Sequence, residues 1–503
     1  MAGQQSERDA PVTGGTIQGA PKQGSAMASV RWTAAGNLLR TVLATGQLLI
    51  IARLVSVAEF GLVVLVSSMV LIAQQISDAG LSSALIRFRD ATEDEKSSLF
   101  WLNAAIGVVI AAIIFLIAPA IAAAFKAPTL AGMLRIASTI FIAQGLFLQL
   151  RVLAERDMRF GDVIRVELAA TAVGFVVAII LALMGQGAPS VVWGQTASAF
   201  TQLGLSWLVL TRDWKPRFHF KAREVARFVP YGLDILLVNI ATSLTVQLDI
   251  LIAGLFFQKQ VFGSFAQPRD LSLKVMTAIN PVVTRVGLPL IAQHQDNPQQ
   301  AGKIYLRVIR MSASVCFPVY AGMALLAGDI LPVVLGKQWT HAAALMPYIA
   351  PWFAFRCVVN PLGSYMYAMG RSRHALYYQI GFAAVVALAS YIGAQFGPIT
   401  LALAMLATYF VFSEICWATV LRPISGVSFM AYHRQIYLPL ACTLLAAGAV
   451  LAARMLLGPG LLPLAAAVAV GGFVFIAVSF FLNSAGVDEV RKLVGLRARP
   501  AIG

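Results

Sequence analysis

The sequence predicts an all-α polytopic membrane protein of about fourteen transmembrane helices, set out as two pseudo-symmetric six-helix lobes plus two C-terminal helices. Three observations predict it. Apolar stretches near the ~20 residues that a bilayer-spanning helix needs fill the chain almost end to end. The 503 residues are 59% hydrophobic and only 12% charged, against about a quarter charged in a soluble domain. Lys and Arg also collect on alternate connections, as the positive-inside rule requires of a multi-pass chain.

Taken in order, residues 1–28 are polar, rich in Gly and Gln and free of any apolar run, which predicts a disordered cytoplasmic tail. No cleavable signal peptide is expected, because the first apolar segment is long and continues into the bundle. The N-lobe, 29–211, takes helices near 30–53, 60–83, 98–122, 130–152, 163–185 and 190–211. A basic cytoplasmic linker, 212–227, follows; from Arg217 to Arg227 it alternates cations with aromatics, which suits the inner membrane surface. The C-lobe, 228–422, takes helices near 228–256, 262–292, 304–328, 342–369, 374–395 and 398–421. Pro268, Pro281 and Pro289 fall inside the second of these and predict a kinked or partly unwound helix. Segment 423–483 supplies two additional helices, near 435–456 and 460–483, and 484–503 is a basic cytoplasmic tail. The two six-helix sets share a landmark: Ala52-Arg53-Leu54 leads to Phe60-Gly61 in one, and Ala253-Gly254-Leu255 leads to Phe262-Gly263 in the other. Same-orientation repeats of this kind recur in transporters, with substrate held between the lobes.

The formal net charge of +16 would suggest nucleic acid in a soluble protein. Its distribution says otherwise. Arg87, Arg89 and Lys96 lie in one connection, Arg151, Arg156 and Arg159 in the next on the same side, and Arg371, Arg373 and Arg422 later. The opposite side shows little beyond Arg53, Lys126, Lys259, Lys337 and Arg454. That asymmetry places both termini in the cytoplasm and assigns most of the excess charge to topology. Connections of roughly 5–17 residues leave no room for a soluble catalytic or nucleic-acid-binding domain. Cys316, Cys357, Cys416 and Cys442 all lie in apolar spans without CxxC spacing and read as small core residues. The five histidines have no ligand spacing, so no metal or other cofactor is expected.

Five cations inside the apolar stretches are the most specific signal. Arg40, Arg269, Lys274, Arg285 and Arg356 would each cost roughly 2.5–3.5 kcal/mol at a lipid-facing helix centre. They must face a hydrated cavity or pair with acids, and a cationic cavity points to an anionic cargo. Arg53, at the end of the opening helix, joins them as a candidate cargo contact. Asp270 and Lys274 stand four apart and also read as a mutually neutralising pair; Arg269, near the outer end, is placed to snorkel. Polar stripes run at helical spacing through the first helix of each set. Asn37, Arg40 and Gln47 share one face in the first, and Tyr231, Asp234, Thr242 and Asp249 share one in the second. These polar faces read either as cavity lining or as interhelical hydrogen bonding. Asp234, Asp249 and Glu414 are candidate sites for a coupling H⁺ or Na⁺; Glu414 reads equally as the salt-bridge partner of Arg356.

At the residue level the chain resembles the Wzx-type flippases, the bacterial polysaccharide-transporter branch of the superfamily that also holds the MATE exporters and the lipid II flippases. Within that branch it resembles especially the colanic acid and teichuronic acid exporters. The resemblance rests on Ala52-Arg53-Leu54 with Glu59-Phe60-Gly61, on the run from Asp78 to Ile86, and on Phe100-Trp101-Leu102-Asn103. Arg156-Asp157-Met158-Arg159-Phe160, Trp193-Gly194-Gln195, Leu248-Asp249 with Gly254, and Tyr367-Ala368-Met369-Gly370-Arg371 extend it over roughly 30–420. Ile250 departs from it, standing where a polar residue is expected after the aspartate. The resemblance implies a cargo of undecaprenyl-pyrophosphate-linked oligosaccharide moved from the inner to the outer leaflet of the bacterial inner membrane. Membrane lipid, and a polymerase and glycosyltransferases of the same pathway, are the implied partners. The residues agree: a sugar-pyrophosphate headgroup needs a polar, cationic passage, and arginine forks suit pyrophosphate. Two alternatives differ in what they require. A MATE-type cation-coupled small-molecule antiporter would carry an acidic or aromatic cavity, and a membrane glycosyltransferase or polymerase would carry a long periplasmic loop with grouped acids.

Overall fold

The computed structural model describes residues 49–483 apart from 79, 89, 213 and 459, together with 39, 43, 46 and 47; the side chains of 281–286, 288, 372, 373 and 461 stand outside that description. A helical segment ending at Leu54 is followed by α1 (Val57–Asp78), α2 (Leu81–Arg87), α3 (Glu93–Ala124), α4 (Pro128–Arg156), α5 (Phe160–Leu183) and α6 (Pro189–Val209). The short α7 (Ala222–Val225) lies in the basic linker. Then come α8 (Val229–Phe256), α9 (Lys259–Ala292), α10 (Pro298–Val334), α11 (Thr340–Val359), α12 (Pro361–Ala368), α13 (Ser372–Gln395) and α14 (Pro398–Cys416). A π-helical turn, Trp417–Leu421, joins α14 to α15 (Arg422–Ser425), and α16 (Phe429–Leu457) and α17 (Leu461–Leu482) complete the bundle.

Local chemistry sets the starts of these helices. Thr92 and Glu95 form a reciprocal capping box ahead of α3. Asn297 accepts from the Gln300 amide at the head of α10. Proline occupies the first turn of α4, α6 and α14, where its missing N–H is harmless. Among the described residues eleven helical stretches are long and apolar enough to cross a membrane. Two further long helices, α6 and α9, are not among them; α9 carries Arg269, Asp270, Lys274 and Arg285. Large apolar side chains face outward all round, Leu116 being 75% exposed and Phe481 88%, an arrangement that only lipid can satisfy. The chain is a multi-pass membrane protein.

The three proline positions do not break α9, which runs as one helix from Lys259 to Ala292. This corrects the partly unwound alternative. Each proline removes one backbone donor, and packing by neighbouring helices holds the rest of the ladder. The most buried helices, α1, α4 and α11, surround a core that includes Phe60, Phe141, Phe265, Trp339 and Trp352.

Early and late parts of the chain meet near both ends of α1. At its start, the Trp339 indole donates to Ala52 O at 2.8 Å and the Gln338 amide to the same carbonyl at 2.8 Å. The Arg53 guanidinium caps the end of α10 through Val333 O at 2.6 Å and Val334 O at 2.8 Å. The two Phe-Gly landmarks touch: a Cβ on Gly263 would lie 1.9 Å from Val57 O, and one on Gly61 would lie 2.8 Å from the Phe262 ring. A related contact pairs α8 with the early half, since a Cβ on Gly254 would lie 3.0 Å from the Phe125 ring. At the far end, Gly80, with φ of 68°, packs against Gly232, whose carbonyl would be 2.1 Å from an added Cβ. Arg227 reaches Asp90 at 3.1 Å and Glu95 at 2.8 Å there.

Candidate functional site

Between these two end contacts lies a cavity of about 580 Å³, within the roughly 300–1,000 Å³ of ordinary ligand sites. Helices from both halves line it: α1, α4, α5 and α6 on one side, α8 and α9 on the other. Its polar lining is dominated by side-chain amides, among them Gln74, Gln144, Gln195, Gln202 and Gln247. Gln195 is held by the Ser67 hydroxyl at 3.1 Å. The Gln144 carbonyl is buried without a protein partner, so it is free to accept from a guest. Each amide presents both donors and an acceptor, the chemistry that matches sugar hydroxyls.

The charges on the wall are balanced. Among the described residues three cations line the cavity, and each has a carboxylate partner. Arg151 reaches Glu155 at 2.8 Å and Glu167 at 3.2 Å. Lys274 pairs with Asp270 at 3.0 Å, the neutralising alternative noted above. Arg269 holds Asp249 in a two-pronged ion pair, 2.7 and 2.8 Å, and its guanidinium also donates to Val246 O. The Arg269 and Asp249 side chains are 1% and 0% exposed. Snorkelling of Arg269 is therefore corrected: its fork is engaged inside the protein. Asp249, read as a coupling site, spends both oxygens on that arginine.

The other expected residues are dispersed. Gln47 lines the cavity. Asn37 and Arg40 stand outside the described residues, as does the side chain of Arg285. Arg53, expected to contact cargo, is exposed and engaged with the end of α10. Arg356, 5% exposed, is not on the cavity wall; its guanidinium lies 5.5 Å from the rings of both Phe353 and Tyr409, and these aromatic faces stabilise the charge in place of a carboxylate. Glu414 is not its partner: it meets His433 Nε2 at 2.8 Å. Asp234 is exposed, Thr242 is exposed and bonds Val238 O of its own helix at 2.8 Å, and Tyr231 lies under Arg87 at 4.9 Å. Sequence reasoning missed Gln144, Gln202 and Arg151 as lining. Their signal was present, since Gln144 and Arg151, and Gln195 and Gln202, each stand seven apart on one helix face.

A family profile described as polysaccharide biosynthesis protein matches residues 50–344. The chain belongs to this family. Among its relatives, the teichuronic acid biosynthesis protein TuaB of Bacillus subtilis is 24% identical over 417 residues, covering 83% of this chain and 86% of that one. The lipopolysaccharide biosynthesis protein WzxC of Escherichia coli is 22% identical over 414 residues, covering 82% and 84%. In structure the chain is similar to the lipid II flippase MurJ in its inward closed conformation, with a TM-score of 0.71 at 11% identity, covering 90% of this chain and 99% of that one. An outward-facing multidrug-resistance MATE transporter superposes less well, at 0.53, 18% identity and 80% coverage of this chain. The Wzx-type resemblance read from the sequence thus stands, and the fold is similar to that of these two solved structures.

Proposed function

We propose that this protein is a flippase that carries undecaprenyl-pyrophosphate-linked oligosaccharide from the inner to the outer leaflet of the bacterial inner membrane. The supporting observation is the amide-lined, charge-balanced cavity between the two halves of the chain. A sugar headgroup stripped of water loses several kcal/mol per unsatisfied polar group in hydrocarbon, and the glutamines replace those lost hydrogen bonds. The polyprenyl tail stays in lipid. Arg40 and Arg285 are the proposed pyrophosphate ligands, because every described cation on the wall already has a carboxylate. The reaction is relocation without covalent change, so the protein acts as a transporter.

The two lobes, 29–211 and 228–422, move by alternating access. The touching Phe-Gly landmarks support the paired lobes, as does the way the end of each lobe's first helix meets the turn after the other lobe's third. Positive-inside charge places the Arg53 contact at the outer face. Asp234, exposed and without a carboxylate's usual cationic partner among the described residues, is the proposed site where H⁺ or Na⁺ resets the empty carrier. Polymerase and glycosyltransferases of the same pathway are the proposed functional partners. Deleting the gene and analysing lipid-linked intermediates tests this function. The expected result is loss of surface polymer with its lipid-linked repeat unit trapped on the inner leaflet; normal polymer in the deletion strain would contradict it.

A further inference from the structure

A second cavity, of about 500 Å³, opens on the flank of the molecule between α13 and the end of α14. None of its lining residues is shared with the central cavity. Its floor is aromatic: Phe382 stacks on Phe412 at 3.6 Å, and Tyr378 lies 5.2 Å from Phe412. The π-helical turn Trp417–Leu421 forms part of its wall through Thr419 and Val420; such turns widen a helix locally and recur at binding sites. At its mouth stand Arg371 and His374, both exposed, with no carboxylate in the lining. Gly370, at φ of 70°, makes the left-handed turn after α12, and the Arg371 amide closes it on Met366 O at 3.0 Å. That turn sets the arginine at the rim and gives the Tyr367-to-Arg371 motif a structural role.

We propose that this groove is a binding site for a membrane phospholipid with an anionic headgroup. The apolar floor takes acyl chain, and the Arg371 guanidinium takes the phosphate through charge-assisted hydrogen bonds, with the His374 ring N–H beside it as a further donor. The occupant is a bulk lipid and not the transported one. α13 separates the groove from the centre, packing against α8 where Gln379 donates to Thr245 at 2.9 Å, so a chain lodged here does not share a path with the central cavity. A zwitterionic headgroup would bring its ammonium against the Arg371 guanidinium. The nearest acid on α14, Glu414, is engaged with His433 and leaves that repulsion uncompensated. The proposal stands independently of the flippase reading, since it needs only a membrane-embedded chain.

Native mass spectrometry of the purified full-length protein tests it, with phosphatidylglycerol, phosphatidylethanolamine and undecaprenyl phosphate added separately. Phosphatidylglycerol is expected to be retained in preference to phosphatidylethanolamine. Arg371→Gln is expected to weaken that retention about tenfold, the loss of one charge-assisted contact. Gly381→Leu should weaken it as well, because a Cβ at Gly381 meets nothing within 4 Å and the longer side chain fills the groove. Its melting temperature should stay that of the wild type. Equal retention of the two phospholipids would overturn the proposal. So would retention unchanged in both variants, or preferential retention of undecaprenyl phosphate, which would make the groove part of the cargo path.

Discussion

Arg269 and Asp249 show how a charge is tolerated inside this bundle. Removing one partner of a buried pair costs about 3–5 kcal/mol because the other charge stays desolvated. Arg269→Ala is therefore expected to lower the melting temperature of the detergent-purified protein sharply, while the double variant Arg269→Gln/Asp249→Asn recovers most of it. A single variant as stable as the wild type would contradict the sealed pair. Both residues were legible in the sequence as membrane-embedded charges, yet their partnership was not. Helical periodicity relates residues on one helix, whereas this pair bridges α8 and α9. The clue was their position about the turn at 257–258: Asp249 lies eight residues before Phe257 and Arg269 eleven after Gln258, which at ~1.5 Å per residue places them at similar depth. Arg356 was read as a cargo contact or as the partner of Glu414. Its partners proved to be aromatic rings, and ring faces leave no charge signal in a sequence.

Elements carry the next set of expectations. The helices were legible almost throughout, because apolar length and terminal Pro, Thr and Asn are local signals. The exceptions were the segments read near 60–83 and 342–369, which divide at Gly80 and Asn360 into α1 with α2 and α11 with α12. The contact at the Arg53 end depends on the Ala52 carbonyl, the Arg53 fork and the backbone of Gly263. Arg53→Ala with Gln338→Ala and Trp339→Phe removes its side-chain donors and is expected to shift the protein toward states open at that end. Paired spin labels on α1 and α11 near Val57 and Thr340 should report a longer distance. Gly263→Ala should act in the same direction, since its Cβ would stand on Val57 O. Unchanged distances in both variants would show that other contacts hold this end closed. In the basic linker, His219 and Ser98 donate to Glu224 and hold its carboxyl below the usual carboxylate range. A depressed value means the contribution is complete above the ordinary pKa of 4.5 and is lost as pH falls through the lower folded value. Hydrogen exchange of 212–227 should thus stay slow on acidification to about 4.5 and accelerate below it. Glu224→Gln should exchange fast at neutral pH. Phe218, 97% exposed beside Arg217, suits burial in the membrane surface.

At the scale of the whole molecule, the multi-pass membrane architecture and the polysaccharide biosynthesis family were legible. The character of the cavity was not. The sequence pointed to a cationic passage, whereas the described wall is amide-rich and charge-balanced, because acids one turn away on the same helix or on the adjoining helix neutralise its cations. A neutral wall leaves the cargo's own charge to respond to voltage, worth roughly 2.3 kcal/mol per charge per 100 mV. Flux of a pyrophosphate-linked cargo should therefore rise with an inside-negative potential. If Asp234 resets the carrier, an H⁺ or Na⁺ gradient should raise flux further at clamped voltage, and Asp234→Asn should abolish that increment alone. The central claim is tested most directly in liposomes that contain the purified protein and a labelled undecaprenyl-pyrophosphate oligosaccharide. Translocation is read as the fraction of sugar that becomes accessible to an impermeant lectin. The account predicts transfer far faster than in protein-free vesicles, slowed by Gln144→Leu and Gln202→Leu on the cavity wall. Folded protein that leaves the sugar on its original leaflet would contradict it.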